Sequence, residues 1–199
     1  MSKIRLSHNR NNIVLIGHMG SGKTSIGKNL SKKIGFDFID TDEEIENHSK
    51  ITISEFFKKN GEDKFRKLEE IVIKKLLKNK KKTVIALGGG SFENDMIRNH
   101  IINNDFSIWL KCNLKTLSYR CNNRNNRPLL KEKNIRSVLG KLDKIRKRNY
   151  MKSNLKMLRQ QVQDFKERIN AMSKDNRILT SQLKKFNFKL NFMIQFIRL

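Results

Sequence analysis

The amino-acid sequence predicts an α/β fold, in which a three-layer αβα arrangement around a mostly parallel sheet of four to five strands is followed by a long C-terminal helix or coiled coil. Short apolar runs alternate with helical periodicity over residues 1–152, and a glycine-rich loop joins the first run to the first helical segment. From Tyr150 onward glycine and proline are absent, and apolar residues recur at heptad spacing. We therefore expect a globular α/β domain over residues 1–152 and a helical or coiled-coil extension over residues 153–199.

Four short, largely apolar runs are predicted to form the strands. Such runs are typical of buried strands covered by helices on both faces. Helical segments separate them, which predicts parallel strands joined by crossover helices. The strands are expected at Ile13–Ile16, Phe36–Ile39, Thr83–Leu87 and Ser107–Leu110, and the helices at about 22–34, 43–59, 62–79, 94–103 and 113–122.

The C-terminal segment has its own pattern. Apolar residues from Leu155 to Ile197 repeat in steps of three and four, interrupted at Asn176. This spacing predicts a coiled coil and implies a homodimer through residues 155–197, in which a core asparagine would fix a parallel register. Two alternatives stay open: a long helix packed on the globular part, or a strand in the last dozen residues, where apolar residues also alternate with period two.

Composition excludes several classes of protein. The chain carries 44 Lys and Arg against 19 Asp and Glu, a net charge of +25. Such a charge suggests a nucleic-acid partner, but it is spread along the chain and accompanies the Lys, Asn and Ile excess of an AT-rich genome. We expect a solvated basic surface and no specific nucleic-acid partner. The sequence contains no run long enough for a membrane span and no disulfide framework, so we expect a cytoplasmic protein without a membrane partner.

The segment Gly17–Thr24 matches the P-loop pattern G-x-x-x-x-G-K-[ST] between a predicted strand and a predicted helix. Its glycines let backbone N–H groups point at one anion, and the helix N-terminus adds partial positive charge. Lys23 can reach the outer phosphates of a nucleoside triphosphate, and the Thr24 hydroxyl can bind Mg²⁺. His18 is interpreted as a variable loop side chain rather than a base. The motif does not identify the acceptor.

Charged residues near the predicted ends of strands suggest the acceptor side. Asp40 and Asp42 follow the second strand, where open α/β sheets bind ligands. One carboxylate could hold a metal through water and the other could accept hydrogen bonds from a hydroxyl. Alternatively, Asp42 caps a helix. Arg66 suits bidentate recognition of a carboxylate and Glu69 could orient it, or the two form an exposed surface pair.

Two further segments suggest ligand contacts. The triplet Gly88–Gly90 is explained by a ligand lying against bare backbone, or by a flexible turn. The arginine-rich segment with Arg120, Arg124 and Arg127 suits a lid that closes positive charge over a transferring phosphoryl group, or a solvated basic loop. Arg146, four residues before Tyr150, could face the same cleft.

In combination these features resemble the shikimate kinase family over residues 11–152. The matching pieces are the P-loop, the run F-I-D-T-D, the run G-E-D-K-F-R-K-L-E-E, the glycine triplet, the R-P-L-L motif at Arg127 and the arginine four residues before Tyr150. The resemblance implies a fold of the nucleoside-monophosphate-kinase type. It also implies ATP-dependent phosphorylation of the shikimate 3-hydroxyl, giving 3-phosphoshikimate and ADP for aromatic amino acid biosynthesis, with Mg²⁺ as cofactor.

The resemblance also implies roles for single residues. Lys23, Asp42 and Arg127 would be catalytic. Thr24 would bind the metal directly, and Asp40 would bind it through water. The nucleotide would contact Met19, Gly20, Gly22, Lys23, Thr24, Ser25, Arg120 and Arg127, and shikimate would contact Asp42, Arg66, Gly88, Gly89, Gly90 and Arg146.

The C-terminus departs from the family, which continues after the arginine–tyrosine segment with an edge strand and a helix. In this sequence that strand has no evident counterpart. Two alternative functions follow: another small-molecule P-loop kinase, acting on gluconate or a nucleotide, or a catalytically impaired kinase body that carries a coiled-coil interaction segment.

Overall fold

The chain folds around a parallel five-stranded sheet, as seen in a computed structural model that describes residues 12–78, 82–122, 134–153 and 155–157. The strand order is β2-β3-β1-β4-β5, so the first strand lies at the centre. Every strand pair is parallel. The strands are β1 (Ile13–Ile16), β2 (Asp37–Asp40), β3 (Thr83–Ala86), β4 (Phe106–Leu110) and β5 (Leu155–Met157).

Helices connect the strands. The predicted segment 43–59 contains a short helix and the beginning of a longer one, which continues through the predicted segment 62–79 with a kink at Gly61. The α/β fold with a mostly parallel sheet is confirmed. The helices are α1 (Lys23–Ile34), α2 (Thr41–Ser49), α3 (Ile53–Leu77), α4 (Asp95–Asn104), α5 (Leu114–Asn122) and α6 (Ile135–Tyr150), with a 3₁₀ turn at Ser91–Glu93.

The apolar core lies on both faces of the sheet. Ile13 and Leu15 of β1 pack in one cluster, which includes Leu30 of α1. Val14 and Ile16 pack in the other, with residues of α3, α4 and α6. Because successive residues of a strand point to opposite faces, a strand buried on both must be apolar throughout. This explains why β1 carries no polar residue.

The fifth strand is a correction to the sequence analysis. Leu155–Met157 pairs in parallel with β4, and Ile108 is opposite Leu155. The helical extension predicted from residue 153 is therefore wrong for these three residues. The edge of β4 offers backbone N–H and C=O groups that need partners, and this demand overrides the local heptad spacing. Residues 154 and 158–199 lie outside the described residues, so the coiled coil, Asn176 and the homodimer stay predictions.

Within the described ranges, none of the helices combines the length and apolar character that a membrane span requires.

Replacing Gly27 by alanine should destabilise the fold. A β-carbon at Gly27 would lie 2.4 Å from Phe38 Cε2 and 3.3 Å from Leu15 Cδ1, where α1 packs against the sheet. Overpacking costs ~1–3 kcal/mol, of which the better helix propensity of alanine regains up to about 1 kcal/mol. We expect a lower free energy of unfolding in urea titrations.

Gly140→Ala in α6 is the matched control, because nothing lies within 4 Å of its added β-carbon. We expect this variant to gain about 0.5–1 kcal/mol from helix propensity. Equal stability of the two variants would contradict the close packing of α1 on the sheet.

Candidate active site

The phosphate loop connects the end of β1 to the start of α1. Gly17, Gly20 and Gly22 adopt φ values of 143°, 76° and 96°, which side-chain-bearing residues rarely adopt. The ammonium group of Lys23 donates hydrogen bonds to the carbonyl oxygens of Gly17 (2.9 Å) and His18 (3.0 Å). No side chain caps α1 at Gly22, and the partial positive charge of the helix N-terminus faces the loop.

One cavity of about 490 Å³ brings the loop together with the end of β2, the start of α2, the segment after β3 and α5. Arg120 lies at its rim and donates a hydrogen bond to the carbonyl of Gly20 (3.1 Å). The cavity therefore contains the predicted nucleotide-binding residues that the structure describes, together with Asp42 and Gly89, two of the predicted shikimate contacts. Its lining consists of Met19, Gly20, Ser21, Gly22, Lys23, Thr24, Ser25, Ile26, Asp40, Asp42, Leu87, Gly89, Tyr119 and Arg120.

Asp40 ends β2 and caps α2. Its Oδ1 accepts a hydrogen bond from the Asp42 backbone N–H (3.1 Å), and its Oδ2 accepts one from the Thr24 hydroxyl (2.6 Å). The alternative in which Asp42 is the N-cap is therefore wrong. Asp42 instead lies exposed in the first turn of α2. The buried Thr41 between them accepts a hydrogen bond from the Gly88 backbone N–H (2.8 Å), which holds the two strand ends together.

Thr24 and Asp40 form a donor set that fits Mg²⁺. A hydroxyl and a carboxylate oxygen in contact match the few protein ligands that this ion takes beside phosphates and water. Among the residues that the structure describes, no group of three or more His, Cys, Asp and Glu side chains could hold a metal.

Arg66 is held by two glutamates on α3. Its Nη1 donates to Glu69 Oε2 (2.8 Å) and its Nη2 donates to Glu62 Oε1 (3.0 Å). The Glu69 side chain is 4% exposed and also accepts a hydrogen bond from the Ser91 hydroxyl (2.6 Å), so the alternative of an exposed surface pair is wrong. Burial lowers the pKa of Arg66, but the attraction of Glu69 and Glu62 outweighs it and raises that pKa overall, so Arg66 is a permanent cation.

The glycine triplet passes close to the charged side chains of the acceptor side. A β-carbon at Gly88 would lie 2.9 Å from Asp42 Oδ1, and one at Gly90 would lie 2.9 Å from Arg66 Nη1 and 3.2 Å from Arg146 Nη2. Close approach, rather than flexibility, accounts for the missing side chains. Asp42, Arg66 and Arg146 therefore surround the triplet Gly88–Gly90. We call these three charged residues and the triplet together the acceptor cup.

Arg146 is the buried cation of the acceptor cup. It is 5% exposed, and its Nη1 has no hydrogen-bond partner within the described part of the chain. A buried donor of this kind gains much from an anionic ligand. Four residues on, the Tyr150 hydroxyl donates a hydrogen bond to the Gly89 carbonyl (2.6 Å). Burial raises the pKa of Tyr150, which keeps this hydroxyl protonated.

Some site predictions are untested. Arg124 and Arg127 of the predicted lid lie outside the described residues, and their roles stay predictions. Glu62, Tyr119 and Asp143 are site residues that were not predicted, although Glu62 precedes Arg66 by four residues, the spacing of a helical ion pair. No sequence motif or spacing identified Tyr119 or Asp143 as a site residue.

Comparison with known proteins identifies the family. The shikimate kinase family model matches residues 19–179. A shikimate kinase of Rhizobium leguminosarum is 44% identical over 151 residues, which is 76% of each chain. One from Bartonella henselae is 46% identical over 143 residues, covering 72% of this chain and 68% of that one.

Solved structures agree as well. The shikimate kinase of Acinetobacter baumannii, solved in complex with shikimate, is 31% identical with a TM-score of 0.72 and covers 84% of this chain and 96% of that one. The enzyme from Aquifex aeolicus is 33% identical with a TM-score of 0.64 and covers 73% and 85%. The chain belongs to the shikimate kinase family.

Proposed function

We propose that this protein transfers the γ-phosphoryl group of ATP to the 3-hydroxyl of shikimate, giving 3-phosphoshikimate and ADP. The observation that carries the proposal is the cavity that joins the phosphate loop to Asp42 and Gly89 of the acceptor cup. Phosphoryl transfer needs little covalent chemistry from the protein, so holding two substrates in line within one cavity supplies most of the catalysis. A relative of similar fold was solved with shikimate bound.

The nucleotide half of the reaction depends on the phosphate loop. Its amides and the Lys23 ammonium group bind the β- and γ-phosphates, and Arg120 lies beside the adenine. Thr24 and Asp40 would hold Mg²⁺, which when bound neutralises charge on the phosphates. Arg127 completes the charge around the transferred group from the lid, in line with its matching motif. Each of these groups stabilises negative charge that is spread over the phosphoryl oxygens in the transition state.

The acceptor half depends on the acceptor cup. Arg66 and Arg146 bind the shikimate carboxylate, for which guanidinium groups offer paired N–H donors. The Asp42 carboxylate accepts a hydrogen bond from the 3-hydroxyl and directs its oxygen toward the γ-phosphorus, or removes its proton. The bare backbone of Gly88–Gly90 lets the ring lie close to these charges.

A substrate panel tests the proposal. Production of ADP is followed in a coupled assay with ATP, Mg²⁺ and one acceptor at a time: shikimate, gluconate or a nucleoside monophosphate. We expect turnover with shikimate alone. Turnover with gluconate or a nucleotide instead would favour the alternative P-loop kinase, and the absence of turnover with every acceptor would favour the impaired kinase body.

Three finer expectations accompany the proposal. We infer a cytoplasmic location, Mg²⁺ as the physiological cation, and a homodimer formed through the C-terminal segment. Turnover with Mn²⁺ or Ca²⁺ in place of Mg²⁺ tests the cation, and sedimentation velocity of the full chain tests the dimer.

Lys23→Ala should lower kcat by at least about 100-fold, because one cation is lost from the transferring phosphoryl group. Lys32→Ala is the matched control, since Lys32 is an exposed lysine in the last turn of the same helix. We expect it to keep kcat within two-fold. Far-ultraviolet circular dichroism verifies that both variants are folded, and a folded Lys23→Ala protein with full turnover would refute the role of Lys23.

Arg66→Ala should raise the KM for shikimate roughly 10- to 100-fold and leave the KM for ATP nearly unchanged, because it removes charged hydrogen bonds to the acceptor alone. Glu62→Gln is the control, since it removes only the negative charge of the exposed partner of Arg66 and keeps an oxygen acceptor. We expect its shikimate KM to change less than about three-fold. An unchanged shikimate KM with a large loss of kcat in Arg66→Ala would contradict a ground-state carboxylate contact.

A further inference from the structure

The side chain of His18 is buried beneath the phosphate loop rather than pointing to solvent. The residue is 4% exposed, and its Nε2 lies 3.0 Å from Asp143 Oδ1 on α6. The ring also packs edge-on against Tyr150, with ring centroids 5.3 Å apart. The interpretation of His18 as a variable loop side chain does not explain a contact that spans 125 positions of the sequence.

The protonation state of His18 follows from its surroundings. Burial lowers its pKa, the Asp143 hydrogen bond opposes this, and the positive charges of Arg146 and Lys23 lower the pKa further. The neutral ring carries one N–H, and Nε2 must hold it in order to donate to the Asp143 carboxylate. Nδ1, which has no partner among the described residues, is then the unprotonated nitrogen and needs no acceptor. His18 is thus a neutral hydrogen-bond donor rather than a charged partner.

The contact joins the two halves of the site. On the loop side, the His18 carbonyl accepts hydrogen bonds from the Lys23 ammonium group (3.0 Å) and from the Ser21 backbone N–H (3.1 Å). On the α6 side, Asp143 precedes Arg146 by three residues, so the two are neighbours on one helix face. One residue therefore connects the nucleotide loop to the helix that carries the buried cation of the acceptor cup.

A second connection reinforces the first. Tyr150, on which the His18 ring packs, donates a hydrogen bond to the Gly89 carbonyl, and a β-carbon at Gly89 would lie 3.3 Å from the Met19 backbone nitrogen. The loop, α6 and the glycine triplet are thus in mutual contact. A displacement of the loop relative to α6 would change the distance between the phosphate-binding amides and Arg146.

We propose that His18 and Asp143 are positioning residues whose hydrogen bond couples the nucleotide and acceptor sites, so that occupation of the phosphate loop strengthens binding at the acceptor cup. The inference rests on the proposed function, because it takes shikimate as the ligand of the cup. Neither residue needs to touch a reacting atom. Their bond fixes the loop to α6, and a nucleotide that orders the loop thereby also orders Arg146. Because such coupling is reciprocal, shikimate strengthens nucleotide binding by the same factor.

Four single substitutions separate the hydrogen bond from mere packing. His18→Leu and Asp143→Ala each remove one partner. His18→Gln is the conservative counterpart, since the side-chain amide of glutamine can place a donor where the histidine Nε2 lies. Asp143→Asn likewise keeps an oxygen acceptor at Oδ1 while removing the charge. If His18 and Asp143 had a purely structural role, the coupling between the two sites would not differ between the variants that remove the hydrogen bond and the variants that can keep it.

Calorimetric titration measures the coupling. The dissociation constant of shikimate is determined for the full-length protein with and without saturating ADP and Mg²⁺, and the ratio of the two constants is the coupling factor. We expect a factor on the order of 5 or more in the unaltered protein. It should fall to near 1 in His18→Leu and Asp143→Ala and stay near the original in His18→Gln and Asp143→Asn. The double variant His18→Leu/Asp143→Ala should lose no more than either single variant.

The outcomes are distinct. Undiminished coupling in His18→Leu and Asp143→Ala, or equal loss in all four variants, overturns the proposal while shikimate binding itself supports the proposed function. A coupling factor of 1 in the unaltered protein also overturns it. Failure of the unaltered protein to bind shikimate overturns both the coupling and the proposed function. If His18→Leu does not fold in urea titrations, Asp143→Ala decides, because the Asp143 side chain is 34% exposed.

Discussion

Parallel pairing of β1, β2 and β3 is the constraint on which the site depends. Because these strands run in one direction, their carboxyl ends meet at one edge of the sheet. The phosphate loop follows β1, the aspartates follow β2 and the glycine triplet follows β3, so three segments distant in sequence share a cavity. The hydrogen bond from Gly88 to the buried Thr41 fixes the last two of these segments to one another. The three segments form one site only because parallel pairing brings them to the same edge of the sheet.

Near that edge, buried charged side chains are paired with groups of opposite charge or with hydrogen-bond donors. Glu69, Arg66 and Ser91 form a connected set in which the buried carboxylate has both a cation and a hydroxyl. Such buried charges are tolerated because their hydrogen bonds are made within the protein. Arg146 is different, since its Nη1 has no hydrogen-bond partner among the residues that the structure describes. This agrees with the proposed role of Arg146 in binding the shikimate carboxylate, because an anionic ligand would supply a partner for this buried donor.

The features that could be predicted from the sequence are those that local chemistry determines. The phosphate loop, strands β1 to β4 and the Arg66–Glu69 pair are short-range patterns, and the bounds of the four strands lie within one residue of the predicted ones. The features that could not be predicted depend on residues that are distant in the sequence. Three residues of a heptad pattern form β5 because the backbone groups along the edge of β4 require hydrogen-bond partners. The contact between His18 and Asp143 could not be predicted, because the two residues lie 125 positions apart in the sequence. Asp40 rather than Asp42 caps α2, a choice made by backbone geometry at the end of β2.

The position of β5 has a consequence for shortening the chain. This strand has three residues and pairs through its backbone with the outer edge of β4. A chain cut near Tyr150 would keep every described residue of the acceptor cup and the phosphate loop, yet it would leave the row of N–H and C=O groups along β4 open to strands of other molecules. Self-association of the truncated protein would then imitate oligomerisation that has nothing to do with its natural assembly. Any shortened version intended to remain monomeric should end beyond Met157.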